Sequence, residues 1–350
     1  MTSKKNILVA PLNWGIGHAT RCIPIINKLI ELSFNPIIAS DGNALKLLQK
    51  EFPKLKCIEL PSYGIHYPQN ALFFKWKIIS LAPKILRAIK EERRVIDSLI
   101  YSENLSGIIS DNRLGAQSTK IPSVFISHQL NVLSGRTTFL SSFLHQKQIN
   151  KFDECWVPDN KSMSLAKKLS HSKKVKRQRF IGLLSRFKKQ NLPIKYDLLI
   201  VLSGVEPSRT KLENKLLSEL KKYKGKVLFV KGVISEIQET ATQKNITFYN
   251  FLLSNELETA MNQSKIVLSR SGYSSIMDLA VLEKKAFFIP TEGQYEQEYL
   301  AKHLKQLRIA PFSTTKKFNI RMLNEVDTYN GFSGAVSEIK ADLFDLFYRK

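Results

Sequence analysis

Apolar positions come first in a short unbroken run, Ile7 to Leu12, closed by Asn13-Trp14-Gly15. Such a run behind a glycine turn reads as a buried β-strand. The next stretch, "TRCIPIINKLIELS", spaces Ile23, Ile26, Leu29 and Ile30 as a helix does. "NPIIAS" is a second strand ending at Asp41-Gly42, "NALKLLQKEF" a second helix and "KCIEL" a third strand. "LSGIISD", "PSVFIS" and "DECWVP" are further short β-branched or aromatic runs ending in polar residues. Strands alternating with helices predict a parallel, doubly wound α/β sheet.

The pattern then restarts. "YDLLIVLSG" ends in glycine at 204, "RTKLENKLLSELKKY" is helical, and "KVLFVKG", "NITFYNF" and "KIVLSRSG" are strands. "SSIMDLAVLEKK" and "EQEYLAKHLKQL" are helical, with "AFFIP" a strand between them. Between the halves, residues 173–189 hold eight basic side chains and carry a boundary. The last segment spaces Val336, Ile339, Leu343, Phe344 and Phe347 as an amphipathic helix that must pack on something. The expected organisation is an N-terminal Rossmann-like domain over 1–180, a second over 181–332, and a C-terminal helix over 333–350.

A chain of 350 residues fits two domains of ordinary size. No apolar run approaches a membrane span, and the basic opening leads directly into the first strand without a cleavage pattern. Cys22, Cys57 and Cys155 are scattered and odd in number, so neither a disulfide framework nor a metal spacing is expected, and a reducing cytoplasm is the simplest setting. The net charge of +24 favours anionic partners, although solvated lysines account for it equally well.

Three segments fall beyond the carboxyl ends of strands, where open α/β sheets bind ligands. In "NWGIGHATR", Gly15 and Gly17 allow a tight turn and close backbone approach, and His18 titrates near neutrality, as a general base requires. The same turn also serves as a plain strand-to-helix connection with His18 as cap. In "SRSGYSSIMDL", Ser274 or Ser275 can cap a helix whose N-terminus attracts phosphate, with Asp278 about one turn in. That carboxylate can accept from ribose hydroxyls, or it can lie exposed on an ordinary helix. "PTEGQYEQEYLA" collects Glu292, Gln294, Glu296, Gln297 and Glu298, which suit a polyhydroxylated sugar or a solvated loop.

Together these segments resemble the GT-B glycosyltransferases of the family 28 type, most strongly over 13–21 and 266–301. The resemblance implies two Rossmann-like domains facing across a cleft, with the C-terminal helix packing back on the N-terminal one. It implies transfer of a sugar, N-acetylglucosamine or a related hexose, from a UDP-sugar to an acceptor hydroxyl, inverting and metal-independent, with no cofactor beyond the UDP-sugar co-substrate. "NWGIGH" looks like the family's first glycine turn, giving Gly17 and the base His18. "LSG" resembles its second glycine turn, giving Ser203 and Gly204. Arg270, Ser271, Gly272 and Asp278 match its nucleotide motif, with Ser274 in the same turn. "IGLLSR" resembles the interdomain segment and gives Arg186 as a diphosphate contact. "YNFLL" gives Phe251 and Leu252 beside the uracil. Gln297 and Glu298 align with a sugar-facing Gln-Gln pair, the second glutamine being replaced. "ISHQL" gives His128 and Gln129 on the acceptor side, where Asp111 also falls.

Residues 71–94 mix Phe73, Phe74, Trp76, Ile78, Ile79 and Leu81 with Lys75, Lys77, Lys84, Arg87 and Lys90, suiting either an anionic membrane surface or a buried core. Pro83 fits the first turn of a second helix there. A lipid-linked acceptor and a peripheral place on the inner face of the membrane accord with the first alternative. Rival readings are a UDP-sugar 2-epimerase, which needs acid and base carboxylates around the sugar, and a nucleic-acid-binding protein. The second is not expected, because the basic residues are spread along the chain. A monomer is the expected state.

Overall fold

The computed structural model describes residues 4–64, 74–133 and 138–348, with the side chains of 74–83 outside that description. Two compact units result. Among the described residues, the first takes in the chain up to Leu184 together with the segment from Ser337 onward, and the second comprises Ser185–Val336.

The first unit is built on β1 (Asn6–Pro11), β2 (Asn35–Ser40), β3 (Cys57–Glu59), β4 (Leu105–Asp111), β5 (Ser123–Ile126), β6 (Glu154–Val157) and β7 (Gln178–Phe180). All pair in parallel, in the order β3-β2-β1-β4-β5-β6-β7. The order reverses between β1 and β4, the switch point at which doubly wound sheets bind ligands. Gly15, at φ +73°, makes the turn from β1 into α1 (Gly17–Glu31). That helix buries Ala19, Cys22, Ile23, Ile25, Ile26 and Leu29, whereas Ile30, expected on the same face, is exposed. The helix α2 (Gly42–Glu51) follows β2.

Residues Phe74–Ser102 form one continuous helix, α3, and not two separated at Pro83. A proline removes one helical hydrogen bond, and the turns on either side carry the helix through. Its later half seats Ile96 and Ile100 on Leu8, Ile37 and Ile108 of the sheet. Of the stretch expected at a membrane, Phe73 and the side chains of Phe74, Trp76, Ile78, Ile79 and Leu81 lie outside the described residues.

The second unit contains β8 (Tyr196–Val201), β9 (Val227–Val230), β10 (Thr240–Gln243), β11 (Ile246–Tyr249), β12 (Ser264–Ser269) and β13 (Lys285–Phe288), ordered β10-β11-β9-β8-β12-β13. Pairing is parallel except for the β10–β11 hairpin. The helices α5 (Ser208–Leu220), α6 (Ser254–Asn262), α7 (Tyr273–Val281) and α8 (Tyr295–Gln306) flank it, α4 (Thr138–Ile149) belonging to the first unit. Leu212 and Leu216 of α5 pack on Leu198, Ile200, Phe229 and Phe287.

The chain end corrects the sequence expectation. In place of an amphipathic α-helix over 333–350 there is a short 3-10 segment, Ala341–Phe347, preceded by extended chain. Aromatic packing fixes it: Trp156 meets Phe344 edge-on at 5.4 Å between ring centroids, and Phe34 packs on Tyr348 at 4.9 Å. Phe347 fills the space over Gly107, where a Cβ would come within 2.3 Å of its ring. Val336 points to solvent, outside the apolar cluster.

Candidate functional site

In the first unit, the carboxyl ends of β1, β4 and β5 bring together side chains far apart in sequence. His18 lies in the first turn of α1, which begins with no side-chain cap, so the imidazole is not spent on the helix. Its Nδ1 is 2.7 Å from Oδ1 of Asp111, the last residue of β4. Arg21, one turn further along α1, donates from Nε and Nη2 to both oxygens of Asp111. Arg21 Nη1 also lies 3.1 Å from His128 Nδ1 in the loop after β5, and Cys22 Sγ is 3.7 Å from Asp111 Oδ2.

Asp111 is wholly buried. Burial alone would raise its pKa, but Arg21 and His18 outweigh it and hold the carboxyl at about 2. The anion accepts only, so the short contact to His18 places the proton on Nδ1 and leaves a lone pair on Nε2. Arg21 Nη2 also approaches His18 Nδ1, at 2.7 Å, but its closer partner is the carboxylate. Burial foremost, then Arg21, lowers the His18 pKa below 6.5 against the opposing pull of Asp111. The ring is therefore neutral at pH 7 and basic at Nε2.

Asp111 and His128 were expected on the acceptor side. Both are buried; Asp111 bonds His18 and Arg21, and His128 lies against Arg21. Gln129 stays half-buried at the loop, its N–H donating to Ser127 Oγ at 3.1 Å. Arg21, the hub of the group, was not among the expected site residues. Its only sequence signal was a place one helical turn after His18.

A second buried charge group supports the neighbouring turns. Arg113 donates to Asp41 Oδ1 (2.6 Å), to Pro61 O (2.6 Å) and to Glu92, while Tyr63 donates to Glu92 at 2.6 Å. Asn13 donates to Asp41 at 3.2 Å and fills the space over Gly42, tying the glycine turn to the end of β2.

In the second unit the loops after β8, β12 and β13 are drawn together by Arg270. Its guanidinium donates to the carbonyls of Ser208, Ile289 and Pro290. Arg270 is buried, and desolvation, partly offset by Glu292, lowers its pKa to about 10. Arg270, expected as a nucleotide contact, holds these loops through their backbone carbonyls. Ser271 Oγ, also buried, donates to Gln297 O at 2.8 Å. The cap of α7 is Gly272, not Ser274 or Ser275. The space over Gly272 is open within 4 Å. Ser274 sits half-buried in that turn, and Ser203 and Gly204 (φ +105°) form the turn after β8.

Asp278 and Arg186, 92 positions apart, come together. Asp278 is 7% exposed and accepts from Ser185 Oγ at 2.7 Å. Burial raises its pKa to about 6 despite the opposing Arg186 charge and the Ser185 hydrogen bond. Arg186 reaches Ser254 Oγ at 3.1 Å, the first residue of α6, and stacks over Phe187 at 4.8 Å. Phe251 and Leu252, both buried, lead into the same helix. Gln297 and Glu298 are turned inward: Gln297 Oε1 accepts from Thr291 N (2.8 Å) and Glu298 Oε1 from Gly293 N (3.0 Å), shaping the 290–294 loop. Among the described residues no group of three or more His, Cys, Asp or Glu is placed to hold a metal ion.

Two doubly wound units, each with polar side chains at the carboxyl ends of its strands, form the architecture of the GT-B fold. The chain is similar to glycosyltransferases of the family 28 type: residues 205–326 match the glycosyltransferase family 28 C-terminal domain. A UDP-N-acetylglucosamine–N-acetylmuramyl-(pentapeptide) pyrophosphoryl-undecaprenol N-acetylglucosamine transferase of Clostridium tetani is 27% identical over 291 residues, 78% of this chain and 75% of that protein. Among solved structures, the glycosyltransferase of kitacinnamycin superposes with a TM-score of 0.63 at 13% identity, covering 94% of this chain and 90% of that one. MurG of Acinetobacter baumannii gives 0.51 at 14% identity, covering 93% and 90%.

Proposed function

We propose that the protein transfers a hexose, N-acetylglucosamine or a close relative, from a UDP-sugar to a hydroxyl of a lipid-linked acceptor, with inversion and without a metal. The observation that carries this reading is the His18–Asp111 pair, 2.7 Å apart, in a chain whose other unit is a family 28 domain. His18 Nε2 takes the proton as the acceptor oxygen bonds to the anomeric carbon. The bond from that carbon to the β-phosphate oxygen breaks, and UDP leaves with the electron pair. Charge growing on the diphosphate is met by the N-terminus of α7 and by Arg186. Asp278 accepts from the ribose hydroxyls, and Phe251 and Leu252 border the base.

A lipid-linked acceptor accords with the names of the curated relatives and with the surface of α4. That helix exposes Phe139, Leu140, Phe143 and Leu144 on one side. Lys174 Nζ lies 4.6 Å from the Phe139 ring centroid, and Lys147, Lys173 and Lys176 are exposed nearby in the chain. Apolar side chains rimmed by lysine suit the surface of an anionic bilayer. No helix among the described residues is long and apolar enough to cross a membrane. We place the protein as peripheral on the cytoplasmic face.

The test is product analysis. The protein is incubated with UDP-N-acetylglucosamine and undecaprenyl-linked or shorter polyprenyl-linked acceptors. Free UDP with a glycosylated lipid supports the reading, and an altered UDP-sugar with no glycosylated product overturns it.

A further inference from the structure

An imidazole paired with a lone carboxylate becomes more basic, because the full negative charge stabilises the imidazolium. The site in the first unit is built differently. Asp111 gives both oxygens to Arg21 and shares only Oδ1 with His18. The groups acting on His18 are Arg21 on its own helix, Asp111 at the end of β4, and His128 after β5, with Cys22 against the far oxygen of Asp111. Arg21 touches three of the four side chains of this cluster other than itself: His18, Asp111 and His128. It is 2% exposed, so its charge is little screened by solvent.

We infer that Arg21 is a positioning residue for proton transfer: its fork fixes the Asp111 carboxylate against His18 Nδ1, sets the ring's tautomer, and reserves Nε2 for the acceptor proton. Three consequences follow from the geometry. The carboxylate cannot rotate away from the ring without breaking two hydrogen bonds to Arg21. Most of its charge is neutralised before it reaches His18, so the ring does not become a permanent imidazolium. His128 Nδ1 accepts from Arg21 Nη1, which leaves its own proton on Nε2 as a donor. The inference rests on His18 as the base, and its test reads the ring directly, without donor or acceptor.

The full chain is labelled with 15N-histidine, and His18 is assigned by comparison with His18→Gln. In the unaltered protein at pH 7.5, the protonated nitrogen of His18 is expected to be Nδ1, and the ring should titrate below 6.5. In Arg21→Met the titration midpoint should rise by about one pH unit or more, a tenfold gain in proton affinity. The sign follows because a positive neighbour is removed and the Asp111 charge is released onto the ring. The acid limb of the kcat/KM profile should move up with it. Arg21→Lys keeps the charge without the fork and should lie between the two. Arg21→Met with Asp111→Asn removes both buried charges, so it serves if the single variant does not fold. In it the fixed Nδ1–H tautomer should be lost. An unchanged His18 midpoint in Arg21→Met, an Nε2-protonated ring in the unaltered protein, or a retained tautomer in the double variant would each overturn the inference. A locked ring alongside normal turnover of His18→Ala would overturn the transferase role of His18 and leave the geometry of the cluster standing.

Discussion

His18 and Asp111 stand 93 positions apart in the chain, and their side chains meet at 2.7 Å. The contact exists because β1 and β4 are neighbours in the sheet, with Pro11 paired to Asp111, so the turn after one strand overhangs the end of the other. Replacing His18 with alanine should lower turnover by about 100-fold or more, the usual worth of a positioned base. UDP affinity, measured by calorimetry, should hardly change, because the nucleotide is assigned to the other unit. Near-normal turnover would move the base elsewhere, with His128 next in line.

Nucleotide binding should depend on pH through Asp278. The free carboxyl has a pKa of about 6, held up by burial. Acceptance from ribose hydroxyls needs the ionised form, so UDP affinity should fall as pH drops through 6 and level off above 7. Calorimetry with UDP in EDTA across pH 5 to 8 measures this. Asp278→Asn should bind UDP more weakly, lose the pH dependence, and keep its affinity for inorganic diphosphate. Heat that appears only after magnesium or manganese is restored would contradict a metal-free site.

Asp111 should matter for folding as well as catalysis. Its folded pKa, about 2, lies below the unfolded value of about 3.9. A depressed acid contributes stability that is present above the unfolded value and is lost as pH falls from about 4 through 2. Asp111→Asn also strands the buried Arg21 charge, at a cost of about 3–5 kcal/mol. Chemical denaturation at pH 7 should show that loss, and a variant as stable as the parent would mean that Arg21 finds water or another partner.

Membrane attachment is predicted to run through α4. The purified protein should co-sediment with phosphatidylglycerol vesicles at low salt and release as salt rises. Phe139→Ser with Phe143→Ser should weaken that binding at least tenfold with the fold intact, since both side chains are exposed. Undiminished binding would shift the contact to residues 71–83.

The chain end is predicted to be structural. Phe347→Ala removes a fully buried ring that covers Gly107 and lies 6.3 Å from Trp156. Loss of about 3–5 kcal/mol is expected for such a truncation, read as a lower midpoint in denaturant. UDP affinity, assigned to the second unit, should be retained.

By itself the sequence determined what is local. Apolar runs behind glycine turns marked β1, β8 and β12, and helical spacing marked α1, α2, α5, α7 and α8, because burial periodicity is written residue by residue. The hairpin strand β10, all four residues exposed, carried no apolar signal and was missed. The helices α4 and α6 were also missed. Even the chain end, amphipathic in pattern, took a 3-10 form once Trp156, Phe34 and Gly107 dictated where its rings must lie. The motif positions His18, Arg186 and Asp278 could be named in advance, since glycine turns and their neighbours are contiguous. What those side chains touch could not. Arg270 was turned to backbone carbonyls, Gln297 and Glu298 to their own loop, and Asp111 to Arg21. Such partners are set by strand order, which brings the ends of distant segments within hydrogen-bond reach, and no periodicity along a single chain records that.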